Sequence, residues 1–220
     1  RLEPRKPASL PVRVIDIDDG SLALLGQWPW PRDRMAMLVT RLTRDYGAAA
    51  VVFDILFSEP DRLSAARILT RPEISGLLKA PPKPEQIDFL DNDRRFARAM
   101  QTAPVVLGVA AAPEDRRTNV PGKAGVVQIG AEPGLGLIAL GATTALVPDL
   151  WEAAAGVGGI NISPFGESDV VRTVPVMWNS PSGILPGLSV EALRVALGES
   201  TVILSGPPEP PLIFIGKANT

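Results

Sequence analysis

Residues 12–61, VRVIDIDDGSLALLGQWPWPRDRMAMLVTRLTRDYGAAAVVFDILFSEPD, constrain the fold more than any other stretch. They open on a strand pattern at 12–17, in which Val12, Val14, Asp16 and Asp18 face one way and Ile15 and Ile17 the other. Apolar residues on both faces predict a strand enclosed between layers. Residues 21–25 suit a short helical turn. GQWPWP cannot be regular structure, because each proline turns the residue before it, Trp28 or Trp30, away from the helical region. Pro31 suits the first position of a helix, and Asp33 suits its positively polarised first turn. In that helix Met35, Leu38, Val39, Leu42 and Tyr46 share one stripe, and Gly47 supplies a C-terminal stop. A second strand at 49–57 is apolar except for Asp54. Strand, crossover helix and strand normally form a right-handed parallel unit, which sets the carboxyl ends of both strands, each marked by acidic residues, side by side.

Composition narrows the chemistry open to such a unit. The 220 residues include no histidine and no cysteine. Imidazole acid/base chemistry, serine–histidine nucleophiles, histidine-ligated metals, thiolate catalysis and cysteine zinc sites are excluded. An enzyme built on this chain must work with carboxylates, lysine, backbone groups or the single tyrosine, Tyr46. A formal net charge of −2 argues against the basic stripe that holds a phosphate backbone, so nucleic acid is not an expected partner. No run reaches the roughly 18 uninterrupted apolar residues of a spanning helix. The chain opens on Arg1 without a signal peptide, so the expectation is a piece of a longer protein. The 23 prolines and 20 glycines predict ordered turns and long connections. We expect an extended lead-in at 1–11 and a single domain at 12–220.

Beyond Asp61 the pattern predicts a helix at 63–70, a proline-rich surface segment at 71–85, and a helix capped by Asp91 or Asn92 with Phe96, Ala99, Met100 and Ala103 inward. A buried strand at 104–110 follows. Residues 111–147 read as a long surface excursion, and 148–155 as a short helix with Trp151 packed inward. Strands at 159–163 and 170–177 are expected to pair antiparallel through their short loop. A helix at 186–197 offers Leu188, Val190, Leu193 and Leu197 for burial, and strands at 201–204 and 211–215 close the chain. The expected class is α/β: a mixed, partly parallel sheet flanked by helices, with an antiparallel hairpin in the C-terminal half.

The candidate site residues gather where the first two strands end. Asp16, Asp18 and Asp54 can hold a divalent cation, since oxygen donors suit magnesium or calcium; the alternative is that these aspartates bond loop amides and cap turns. Glu59 stands beside them. Trp28 and Trp30 can stack on a ligand with Arg32 pairing an anion, or can wedge the loop against the core. Arg172, in DVVRTVP, faces a ligand or partners one of the acids. DIDDGS is one residue out of register with the DxDGT nucleophile loop of haloacid-dehalogenase-type phosphatases, which keeps a carboxylate- or metal-dependent hydrolase as an alternative. The glycines at 134, 136, 141, 156, 158 and 159 lack the spacing and context of a dinucleotide loop.

Taken together, VIDIDDGSL, GQWPWPR, GAAAVVFDILFSEPD and the later GGINISPFGESDVVRTVP resemble the CHASE domain of type 2, the extracytoplasmic sensory domain of bacterial receptors, over residues 12–197. The resemblance implies a non-enzymatic input module in front of a nucleotide cyclase, histidine kinase or related output domain. It also implies membrane helices on both flanks, a homodimer in the full-length receptor, and an unknown small-molecule or protein signal. No cofactor is implied beyond the possible cation. The chain departs from the family at Gly158-Gly159, where relatives often carry Gly-His, and at Asp169-Val170, where they often carry Asp-Gly. A ligand-free dimerisation or partner-protein module is the remaining alternative.

Overall fold

An all-apolar strand such as VVLGV, residues 105–109, needs cover on both faces. The computed structural model, which describes residues 11–112, 118–130, 136–162, 171, 174–206 and 212–216, buries every residue of that strand. The chain divides into two compact units, Arg1–Trp30 and Pro31–Thr220.

In the first unit α1 (Asp19–Leu25) starts where Asp18 Oδ1 accepts hydrogen bonds from Ser21 N at 2.8 Å and Ser21 Oγ at 2.6 Å. The Trp28 and Trp30 rings meet edge-on with centroids 5.8 Å apart, and Trp30 Nε1 donates to the Gly26 carbonyl at 2.7 Å. The strand expected at 12–17 does not form: these residues join no ladder, and Val12 and Val14 are 69% and 89% exposed. Alternation in a sequence says which side chains share a face, but a strand exists only where a neighbour takes its backbone hydrogen bonds.

The second unit runs α2 (Arg32–Arg44), β1 (Val51–Phe53), α3 (Ala65–Leu69), α4 (Pro72–Ser75), α5 (Pro84–Leu90), α6 (Asn92–Met100) and β2 (Val105–Val109). It continues with β3 (Gly125–Ile129), β4 (Ile138–Ala139), α7 (Pro148–Ala153), β5 (Gly156–Gly159), β6 (Met177–Ser180), β7 (Gly183–Pro186), α8 (Leu188–Ala196), β8 (Thr201–Ser205) and β9 (Leu212–Ile215). The fold is α/β, as expected. Its described strands form three sheets of three: the parallel β1-β2-β5, and the mixed β3-β8-β9 and β4-β6-β7. In the parallel sheet Phe53 stands opposite Leu107, and Gly108 opposite Gly158. Helices α2 and α6 pack on each other, and α8 packs on β5 and β2. Phe53, Phe57 and Phe96 form an edge-on aromatic cluster with centroids 5.4–5.7 Å apart.

Several elements differ from expectation. The strand predicted at 49–57 shortens to β1, and Tyr46 lies past the end of α2, 78% exposed. The segment at 71–85 contains α4 and the start of α5, and the excursion at 111–147 contains β3 and β4. In α7 the buried residue is Leu150; Trp151 is half-buried, its indole N–H donating to Pro121 O at 3.1 Å and its ring covered by the Lys123 ammonium at 3.9 Å. The antiparallel partner of β6 is β7. The connecting residues 163–170 lie outside the described set, so the hairpin predicted from 159–163 and 170–177 falls partly there.

Helix α8 keeps only part of the expected face inside: Leu188 and Val190 are half-buried, but the rest of the face is turned outward. Leu193 and Leu197 are 51% and 54% exposed, while Glu191 and Arg194 are 0% and 5% exposed. The cause lies in the strand beneath. A Cβ at Gly158 would stand 2.6 Å from Leu188 Cα, so the bare strand lets the helix backbone approach and brings the 191/194 edge inward. Glu191 Oε1 then accepts from Val157 N at 3.2 Å and from the Arg194 guanidinium at 2.6 Å. Arg194 also donates to Ala155 O at 2.9 Å and to Glu199 O.

Candidate functional site

Helix α2 begins with Pro31 at its N-cap, a residue with no side-chain acceptor to satisfy the first amides. Asp61, 29 residues beyond Arg32, takes that role: its Oδ2 accepts from Arg32 N at 2.8 Å and from Asn92 Nδ2 at 2.9 Å, and its Oδ1 accepts from Leu63 N at 2.8 Å. Asp61 N in turn donates to Asp93 Oδ2 at 2.8 Å. Asp91 caps α6, accepting from Asp93 N at 2.9 Å, and Asn92 N donates to Ser64 Oγ, which donates to Leu90 O. One carboxylate thus locks the N-termini of α2 and α6 together.

The Arg32 side chain turns into this cluster. Its guanidinium lies 4.4 Å over the Phe57 ring, reaches Glu59 O at 3.5 Å, and places Nε 3.6 Å from Asp93 Oδ1. Neither of those last two atoms has a hydrogen-bond partner among the described residues. The pair is therefore coulombic without a bonded contact. Burial holds Asp93 above the ordinary carboxylate range despite the amide of Asp61 and the charge of Arg32, and burial pulls Arg32 below the usual guanidinium value. Desolvation wins on both partners, as expected for a buried pair that lacks ideal geometry.

Of the other residues singled out in the sequence, Asp16, Asp18, Trp28 and Trp30 belong to the first unit, Asp54 and Glu59 to the second, and Arg172 lies outside the described set. Asp54 and Glu59 expose their side chains. Asp16 and Asp18 are exposed in the first unit, where Asp18 caps α1; its bonds to Ser21 lower its pKa. Trp30 is buried and Trp28 half-buried. Arg172 is not among the described residues. Among those that are, no three acidic side chains gather as a metal site. At Gly159 a Cβ would stand 2.8 Å from Trp178 Nε1, so the indole fills the space a side chain would need. Asp93 and Ser64 are not among the residues the sequence marks, and Asn92 is marked there only as a candidate cap. The DND run at 91–93 carried a signal, but only for a helix cap.

Beside the cluster, α2 and α6 form the floor of an open groove of about 760 Å³ with α5 along its rim. Arg95 pairs with Asp33 at 3.9 Å, while Asp88 pairs with Arg98 at 3.3 Å and with Arg94. Arg41 and Glu85 also line the groove and have no ion-pair partner among the described residues. Met37 and Phe89, 63% and 70% exposed, supply apolar surface.

The family model of the CHASE2 domain matches residues 1–218. The chain belongs to the CHASE2 family. The match extends beyond both ends of the stretch at 12–197 that carries the motifs. CHASE2 domains are extracytoplasmic sensory domains, so a sensory rather than a catalytic role attaches to this fold. No curated protein and no solved structure matches the chain. Among the described residues no helix is long and apolar enough to cross a membrane.

Proposed function

We propose that this CHASE2 domain is the signal-input module of a bacterial transmembrane receptor whose cytoplasmic part is a nucleotide cyclase or histidine kinase. In this reading the module lies in the periplasm or outside the cell between membrane helices, works as a homodimer, and does no chemistry of its own. The observation that carries it is the family match over residues 1–218. The geometry adds a means of transmission: a ligand that binds one arrangement of α2 and α6 better than another shifts the domain between them, and Asp61 couples the starts of both helices. Asp54 and Glu59, exposed after β1, remain candidate contacts for the signal.

The test is topological and functional. A reporter enzyme that is active only outside the cytoplasm, inserted after residue 218 of the full-length protein, should be active. Deleting residues 1–218 in frame should change the basal output of the cytoplasmic domain. A silent reporter, or an output indifferent to the deletion, sinks the proposal.

A further inference from the structure

The cluster between the starts of α2 and α6 sets three carboxylates, Asp61, Asp91 and Asp93, around one guanidinium, Arg32. Their hydrogen bonds are unequal. Asp61 accepts from Arg32 N, Asn92 Nδ2 and Leu63 N, and Asp91 accepts from Asp93 N and Arg94 N. Asp93, 3% exposed, accepts only from Asp61 N, through Oδ2. Its Oδ1 accepts from nothing among the described residues, and Arg32 Nε stands 3.6 Å from it, an ion pair without a hydrogen bond. Amide donors are what hold a buried carboxylate ionised, so Asp93 gains most of the three from losing its charge. The other charges on the helices around it are turned to different partners: Asp33 of α2 to Arg95, Asp88 of α5 to Arg94 and Arg98, and Asp149 of α7 to Arg94.

That arrangement selects its own ligand. A proton needs no cavity, and Oδ1 offers it a free lone pair. Histidine, the side chain that ordinarily titrates near neutral pH, is absent, so a carboxylate displaced by burial is the means this sequence has of binding a proton in mild acid. We propose that Asp93 is a proton-binding site through which the domain reads external acidity: a proton on Oδ1 cancels the carboxylate charge and releases the Arg32 guanidinium from the start of α6. Arginine stays charged throughout, so its buried head is then left with the charge of Asp61, the Phe57 ring and Glu59 O. Burial raises the pKa of Asp93, which places the step above the ordinary carboxylate value of 3.8. Arg32 opens α2 and Asp93 lies in the first turn of α6, so the release removes one of two links between these helices and keeps the other, through Asp61 and Asn92. This rests on the sensor reading and names the signal.

The experiment is a pH titration of the 220-residue chain by proton–nitrogen NMR, from neutral pH to below 3.8. Two wild-type signals decide it. The Asp61 amide, which donates to Asp93 Oδ2, reports the charge on Asp93, and the Arg32 Nε–H reports the guanidinium. The expected result is one midpoint above 3.8 shared by both, with the Arg32 Nε–H exchanging faster with water on the acid side. Asp93→Asn should remove the step from both signals and show the faster Arg32 exchange already at neutral pH. Circular dichroism checks that this variant folds; if it does not, the wild-type signals still decide. In the full-length receptor, output should change as external pH crosses the same midpoint, and Asp93→Asn should abolish that response. A midpoint at or below 3.8, an Arg32 signal that does not follow it, or a receptor whose acid response is absent or survives Asp93→Asn overturns the proposal. Each of these failures leaves the sensor reading standing; a silent topology reporter would remove the receptor while leaving the titration of the isolated chain intact.

Discussion

Replacing Glu191 with alanine should remove most of the stability of the second unit, although an acidic residue on a helix is ordinarily a surface feature. The carboxylate is 0% exposed and accepts three hydrogen bonds, from Val157 N at 3.2 Å, Arg194 Nε at 2.8 Å and the Arg194 terminal nitrogen at 2.6 Å. Glu191→Ala leaves the Arg194 guanidinium, 5% exposed, without its counter-charge, and breaking a buried pair on one side costs about 3–5 kcal/mol. The orphaned Val157 amide adds about 1–3 kcal/mol, though the two losses overlap. Set against a typical domain stability of about 5–15 kcal/mol, the variant should be at the edge of folding. The control is Glu191→Met with Arg194→Met, which removes both charges at similar volume. It should recover much of the loss, since apolar replacement of a buried pair is often neutral, but not all of it, because Ala155 O and Glu199 O lose their donors. Urea titration followed by circular dichroism measures all three proteins, with Leu193→Ala as an exposed reference on the same helix. A Glu191→Ala loss below about 1 kcal/mol, or one no larger than that of Leu193→Ala, would refute the buried-pair reasoning.

Other consequences are equally open to measurement. Gly158→Ala should destabilise by about 1–3 kcal/mol or more, because its Cβ would meet Leu188 Cα at 2.6 Å and a helix backbone cannot step aside as a side-chain tip can; a melting temperature equal to wild type would show that α8 is not held by that approach. Asp93 yields a pH signature. Its folded pKa is raised by burial above the ordinary value of 3.8, so between the two values the folded state holds a proton that the unfolded state has lost. Its contribution is complete below 3.8 and is lost as pH rises through the folded value, with a slope of at most about 1.4 kcal/mol per pH unit. The stability of wild type minus that of Asp93→Asn should therefore fall with rising pH across this window, and a flat or rising difference would contradict it.

Much of the local structure was legible in the sequence because it depends on neighbours along the chain. The helix after Pro31, the cap at Asp91, the buried strand at 105–109 and the irregular GQWPWP loop all follow from dihedral restriction, capping and periodicity. The motifs read as a family likeness led to the family to which the chain belongs. Where the sequence misled, a partner distant in the chain decided. Residues 12–17 carry a strand pattern and form no strand, because alternation cannot supply the ladder. Asp61 was visible as an acid at the end of a strand, but its part in joining two helix starts needed Asn92 and Asp93, about 30 residues away.

The absence of histidine and cysteine, together with the residue pattern, determined by itself what chemistry is closed to this protein and which helices and apolar strands it can form. Which face of a helix goes inside was left to tertiary structure. In α8 the leucines at 193 and 197 had the more apolar claim, yet the close approach over Gly158 turned Glu191 and Arg194 inward, where each satisfies the other. The groove beside α2 arose in the same way: Arg41 and Glu85 are ordinary surface charges in the sequence, and only the tertiary arrangement of α2, α5 and α6 sets them on one concavity. Periodicity records what a residue prefers, whereas burial depends on the shape of whatever it meets.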